Sequence, residues 1–174
     1  MRELYSFYYK LNVLKIVLIG IFLKLISFLF LSSFFNSLNI LEFELFYIWR
    51  DPPLIIKITR NSLWLIVVPV IVGPLVETLI YQYFPLKICQ KWFRRYKYSV
   101  CITIVLTSIV FASMHAPRLL DICNTLISGT IYCFSCFVLM RKKRYPIFYT
   151  TLMHGCYNAL AVTYNLYASA GADL

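Results

Sequence analysis

Five apolar stretches, each about as long as a helix that crosses a lipid bilayer, dominate this chain. They cover residues 12–35, 62–84, 99–115, 119–140 and 145–168. A bilayer core is about 30 Å thick, which about 20 helical residues span. Because lipid offers backbone groups no hydrogen-bonding partners, only helices and closed barrels cross it, and runs of this length favour helices. We therefore predict an all-α, polytopic membrane bundle of about five transmembrane helices.

Composition and charge placement favour a membrane protein over a soluble or nucleic-acid-binding one. Hydrophobic residues make up 61% of the chain and charged residues only 14%, whereas soluble domains are about 45–50% apolar. The formal net charge of +10 could indicate a nucleic-acid partner, but the basic residues concentrate in short loops between apolar stretches. The positive-inside rule describes this distribution. We predict the lipid bilayer as the surroundings and no nucleic acid as a partner.

The basic residues also predict an orientation. If the two basic loops face the cytoplasm, so does the amino terminus, and that side holds eleven Lys and Arg residues: Arg2, Lys10, Lys87, Lys91, Arg94, Arg95, Lys97 and the run 141–144. The opposite side holds four: Arg50, Lys57, Arg60 and Arg118. We predict a multi-pass plasma-membrane protein with a cytoplasmic amino terminus. Lys24, in the middle of the first stretch, either faces the bundle or marks a tilted helix.

Glu77 is the acidic residue that lies well inside an apolar stretch. A carboxylate at bilayer depth costs about 2.5–3.5 kcal/mol even on lenient insertion scales, and such residues usually face a protein interior or a wet cavity. A structural polar group, neutralised or bonded to a neighbouring helix, is the alternative. Intramembrane ionisable residues are functional hypotheses by default, so we favour a functional role for Glu77.

The two histidines of the chain both lie in or at the edge of apolar stretches. His115 closes the third stretch, and His154 stands four residues before Asn158 in the fifth, so these two share a helix face. Glutamate, histidine and asparagine are the residue types that water activation and oxyanion stabilisation require. We predict that these four residues, from three stretches, converge on one cavity.

Three ordered motifs carry a family resemblance. They are Glu77-Thr78-x-x-Tyr81-Gln82, Phe111-x-x-x-His115 and His154-x-x-x-Asn158. This pattern resembles the EExxxR, FxxxH and HxxxN/H motifs of the CPBP family, the CAAX-protease and bacteriocin-processing intramembrane proteases related to type II CAAX prenyl endopeptidases. The resemblance implies an intramembrane endopeptidase that acts on membrane-associated peptide or protein substrates. The candidate substrates are prenylated CAAX-type and bacteriocin-related peptides.

The resemblance also implies a role for each matched residue. Glu77 corresponds to the general base that activates a water, and His115 to the histidine that works with it. His154 and Asn158 correspond to the pair that holds the oxyanion. No cofactor follows with certainty: zinc is possible, with Glu77, His115 and His154 as its ligands, but asparagine is a poor zinc ligand and the chain has no HExxH motif.

Two positions depart from the family pattern. Thr78 stands where the second glutamate is usual, and Gln82 stands where the arginine is usual. Four residues apart on a helix, they could share a neutral hydrogen bond in place of an ion pair. We predict a structural pair here. The alternative functions are a non-catalytic bacteriocin-immunity or binding protein on the same scaffold, and a small transporter with Glu77 as proton carrier.

The chain divides into three predicted regions. Residues 1–61 form a transmembrane helix and an interfacial segment, which begins near residue 36 and contains Pro52 and Pro53; residues 62–168 form the CPBP-like catalytic core, and residues 169–174 a short tail. Glu77 and His115 reach the same depth if the second helix continues through Pro85 towards Trp92, as membrane bundles allow.

Overall fold

The computed structural model describes residues 2–37, 66–93, 95, 96, 98–115 and 119–172. Six helices and no strand occur in this part of the chain. They are α1 (Arg2–Lys10), α2 (Val13–Ser37), α3 (residues 66–92), α4 (Ser99–Ser113), α5 (Leu119–Arg141) and α6 (Pro146–Ala172). The predicted all-α membrane bundle is confirmed. The predicted interfacial segment falls almost wholly on residues 38–65, outside the described ranges.

Helices α2, α4, α5 and α6 follow the apolar stretches closely, whereas α3 ends eight residues beyond the second stretch, at Trp92. By length and apolarity alone, α5 and the part Val13–Phe34 of α2 can cross a membrane, with mean hydropathies of 1.7 and 2.5. Helix α4 is equally apolar but has only 15 residues. Helix α3 continues through Pro85 to Trp92. This continuation is the condition under which Glu77 and His115 were predicted to lie at the same depth.

Helix α3 alternates between π-helical and α-helical turns. Its segments are Val68–Val72 (π), Gly73–Glu77 (α), Thr78–Tyr83 (π) and Phe84–Trp92 (α). Pro69, Pro74 and Pro85 lie in first-turn positions of three of these segments. A proline inside a helix removes one N–H donor and clashes with the preceding turn, and a wider turn is one way to relieve that crowding. Such turns are rare and frequently mark functional sites.

The π turns change which backbone carbonyls are available to neighbouring helices. The N–H of Gly73 donates to the carbonyl of Val68, five residues back, and so bypasses the carbonyl of Pro69. Pro74 has no N–H for the carbonyl of Val70. Two carbonyls in one turn of α3 are therefore without their α-helical donors, and both face α6: Asn158 bonds the first, and Gly155 packs against the second.

Helix α5 is the centre of the bundle. It contacts every other helix, and it contributes to all three buried apolar clusters. The clusters comprise Tyr8, Ile16, Val138 and Leu139; Leu86, Ile104, Cys133 and Cys136; and Val17, Tyr132 and Met153. Because lipid is as apolar as a leucine side chain, close packing and polar contacts hold such helices together. Helix α2, which precedes the predicted core, packs on both α5 and α6.

Candidate active site

Glu77 lies where α3 changes from an α-helical to a π-helical turn. Its carboxylate faces the bundle, where Oε1 lies 3.0 Å from Nε2 of His115 and Oε2 lies 3.5 Å from Nε2 of His154. The structure thus brings three of the four predicted residues together. Glu77 comes from α3, His154 from α6 and His115 from the turn that follows α4. The Glu77 side chain is 24% exposed and that of His154 only 7%, so His154 forms the inner wall of the site.

The hydrogen bonds of His115 indicate how many protons it shares with Glu77. Its Nδ1 lies 2.7 Å from the backbone carbonyl of Phe111, the first residue of the same motif. A carbonyl can only accept, so Nδ1 carries a proton. The 3.0 Å contact between Nε2 and the Glu77 oxygen then requires a further proton, on either the nitrogen or the oxygen. Glu77 and His115 therefore share one mobile proton.

His154 is oriented by ring contacts on both sides. The Tyr132 ring stacks on it with centroids 4.5 Å apart and planes at 28°, and Phe111 meets it edge-on at 6.0 Å. Its Nδ1 is buried and has no hydrogen-bond partner among the described residues. The position of this imidazole thus depends on how α5 and α6 pack, since one nitrogen alone reaches a polar group.

Asn158 lies one turn beyond His154 on α6, and the structure does not join it to Glu77 or to either imidazole. Its Nδ2 donates a 2.8 Å hydrogen bond to the carbonyl of Pro69. An amide nitrogen has two hydrogens, so one remains for another acceptor. The bond fixes the Asn158 side chain against α3, while its predicted place beside His154 still rests on their four-residue spacing in α6.

The predicted hydrogen bond between Thr78 and Gln82 was wrong. Both side chains are fully buried, at 0% and 1% exposure, yet neither has a hydrogen-bond partner in the described structure. The reason is local: both residues belong to the π turn Thr78–Tyr83. The hydrogen bond was predicted from the geometry of a turn with 3.6 residues, and these two residues do not adopt that geometry.

Sequence reasoning missed one contributor to the site and left one buried lysine unplaced. Tyr132 supplies the stacking surface for His154, but a tyrosine in an apolar stretch carries no signal of that role. Lys24 was noticed but left unplaced. It faces the bundle, 3% exposed, and its amine hydrogen-bonds to Ser128 and Asn124 of α5. Its mid-span position was the available signal, because a charge at that depth needs buried partners.

The three residues do not fit a preformed zinc site. In the described residues, no group of three or more His, Cys, Asp and Glu side chains has a metal-binding arrangement. The Glu77 carboxylate instead reaches His115 directly. What the arrangement can do chemically is to take and return protons: a carboxylate and two imidazoles, partly open on the side of Glu77 and His115, can hold a water and move its protons.

Comparison with known proteins places part of the chain in a known family. Residues 59–160 match a family model described as Rce1-like, type II CAAX prenyl endopeptidase. The match spans Glu77, His115, His154 and Asn158 and leaves α1 and α2 outside. No curated protein and no solved structure matches the chain.

Proposed function

Because the chain belongs to the Rce1-like family of type II CAAX prenyl endopeptidases, we propose that it hydrolyses peptide bonds of membrane-presented substrates with a water activated by Glu77. The observation that carries the proposal is the contact of one carboxylate with two imidazoles, one from α6 and one from the turn that follows α4. The family accounts for the general activity of a membrane protease. The glutamate-dependent mechanism and the substrate are our proposals.

The proposed reaction begins with a water held between Glu77 and His115. Glu77 takes a proton from the water as its oxygen attacks the scissile carbonyl, and the carbonyl oxygen becomes an oxyanion. His154 Nε2 and the second hydrogen of Asn158 Nδ2 donate to that oxyanion. The proton then passes from the Glu77–His115 pair to the leaving nitrogen as the C–N bond breaks. Water is thereby split between a new carboxyl group and a new amine.

We propose that no metal takes part in these steps. In this mechanism the Glu77–His115 pair performs the proton transfers that a zinc-bound water would otherwise supply. Zinc remains the alternative, with Glu77, His115 and His154 as its ligands, and a chelation experiment separates the two mechanisms.

We further propose that the protein is a multi-pass plasma-membrane protein with its amino terminus in the cytoplasm. The excess of basic residues in the 87–97 and 141–144 loops supports this orientation. The test is a cysteine placed at the exposed Arg144 in a whole-cell labelling experiment, with the unaltered chain as control for its native cysteines. Labelling by an impermeant reagent before lysis would contradict the orientation.

Cleavage by purified protein tests the main proposal. Detergent-solubilised or nanodisc-embedded protein is incubated with fluorogenic farnesylated peptides ending in a CAAX sequence and with the same peptides unprenylated. Wild type should cleave, and Glu77→Gln should not, because the amide keeps the shape and removes the base. Glu3→Gln, at an exposed position of α1, is the matched control and should be as active as wild type.

One observation favours the non-catalytic alternative. Thr78 and Gln82 are neutral where the resembled motif is charged, and both are buried in the turn that follows Glu77. Folded wild-type protein that binds these peptides and cleaves none of them would establish the binding or immunity function instead.

A further inference from the structure

Lys24 is a buried lysine on α2, a helix outside the family match. Its side chain is 3% exposed. Its Nζ donates to Ser128 Oγ, to Asn124 Oδ1 at 3.2 Å and to the Asn124 carbonyl at 3.4 Å. Three acceptors match the three N–H bonds of an ammonium group. The ammonium is also 4.4 Å from the centroid of the Tyr157 ring on α6, within the range of a cation–π contact.

The contacts of Lys24 lie next to the residues that orient His154. Ser128 is one turn before Tyr132 on α5, and Tyr132 stacks on the His154 ring. Tyr157 is one turn after His154 on α6 and precedes Asn158 directly. A single ammonium group thus holds both the helix that supports His154 and the helix that carries it.

His154 has little else to fix its position. Its Nδ1 has no hydrogen-bond partner among the described residues, and its Nε2 lies 3.5 Å from Glu77. Apart from that contact with Glu77, ring contacts hold the imidazole, and the closer of them is the stack on Tyr132 of α5, so a small shift between α5 and α6 would move it. A misplacement of about 1 Å at a reacting group can cost about 10²-fold in rate.

We propose that Lys24 is a positioning residue of the active site, which clamps α5 to α6 at the level where they hold His154. Helix α2 is accordingly part of the catalytic unit, although the family match does not include it. The expected effect on kcat rests on the proposed function. The expected effect on the position of His154 rests only on the contacts of Lys24, and the two effects are measured separately.

The kinetic test compares Lys24→Met, Lys24→Arg and Lys15→Met. Lys24→Met removes the donors and keeps the length of the side chain, and it should lower kcat by about 10²-fold with KM little changed. Lys24→Arg keeps a cation and should recover much of the rate. Lys15→Met makes the same change at an exposed position of the same helix and should behave as wild type. Rates are normalised to folded protein. A wild-type kcat in Lys24→Met overturns the inference and leaves the proposed function intact.

The structural test needs no cleavage, so it decides the inference even if wild type proves inactive. The chain has two histidines, and their carbethoxylation by diethyl pyrocarbonate can be followed separately by mass spectrometry. In Lys24→Met, His154 should be modified several-fold faster relative to His115, whereas Lys15→Met should leave the ratio unchanged. If Lys24→Met does not fold, Ser128→Ala, which removes one acceptor, should change the ratio in the same direction. An unchanged ratio in the folded variant overturns the inference.

Discussion

Glu77 Oε1 lies 3.0 Å from His115 Nε2, although 38 residues separate the two in the chain. The two helices explain the meeting. Glu77 lies 15 residues before Trp92, the last residue of α3, and His115 lies 16 residues after Ser99, the first residue of α4. At about 1.5 Å per residue, each is about 23 Å from the connection between the helices. The pairing therefore depends on the unbroken passage of α3 through Pro85.

Replacement of the oxyanion donors should leave residual activity. Asn158→Ala and His154→Ala should each lower kcat by about 10²–10³-fold, which is the usual cost of losing one such donor. Both variants should remain above the Glu77→Gln background, because the proton-transferring pair is intact. Steady-state kinetics of the purified variants provides the measurement. Wild-type rates in Asn158→Ala would reduce its role to the structural bond with Pro69.

Gly155→Ala should destabilise the bundle. A Cβ at this position would lie 2.4 Å from the backbone carbonyl oxygen of Val70, so α6 would have to move away from α3. Overpacking of this kind typically costs about 1–3 kcal/mol, and Tm in detergent should fall. Gly20→Ala is the matched control. Its Cβ would meet the flexible side chain of Met153, which can rotate away, so the loss in Tm should be smaller. Equal losses would contradict the close approach of α6 to Val70.

Thr78→Val should leave the stability unchanged or raise it. The Thr78 hydroxyl is buried without a described partner, a situation that costs about 1–3 kcal/mol, and valine has the same shape without the hydroxyl. Thr107→Val is the control, because the Thr107 hydroxyl donates to the Thr103 carbonyl at 2.8 Å, and its removal should destabilise. Thermal unfolding of both variants decides. A drop in Tm for Thr78→Val would mean that its hydroxyl is hydrogen-bonded.

Chelation should not stop cleavage. The Glu77 carboxylate reaches His115 directly, so the proton transfers need no added ion in the proposed mechanism. Protein dialysed against a strong chelator should keep its kcat, and metal analysis should find less than one zinc per chain. Activity that disappears on dialysis and returns with zinc alone would establish the metal-dependent alternative.

Much of the fold and part of the site could be predicted from the sequence. The helices follow from the apolar runs, since a bilayer imposes their length, and Glu77 and His154 stood out because charge and imidazole are rare at that depth. The prediction of a Thr78–Gln82 hydrogen bond was wrong because it assumed α-helical geometry for two residues that belong to a π turn. No local pattern shows that a helix contains π turns, although three prolines in one stretch indicate strain.

The anchors of the site were also beyond sequence reasoning. Asn158 donates to the backbone carbonyl of Pro69. Every residue has a backbone carbonyl, so the sequence does not show which one Asn158 will bond. The contacts of Lys24 join residues 100 and 104 positions apart. A cation at that depth predicts buried partners, but their identity depends on how α2 packs on α5.

The two π turns of α3 also affect how chains of this kind should be aligned. A π turn holds one residue more than the α turn it replaces, and each residue of an α-helix advances about 100° around its axis. Loss of one residue from Val68–Val72 would convert that π turn into an α turn. If the part of the helix before it rotates to compensate, Glu77 still points in the same direction. Chains that differ by one residue at 68–72 or 78–83 can therefore present the same carboxylate to the same imidazoles. A single-residue gap at those positions is therefore the expected trace of a gained or lost π turn and need not displace Glu77.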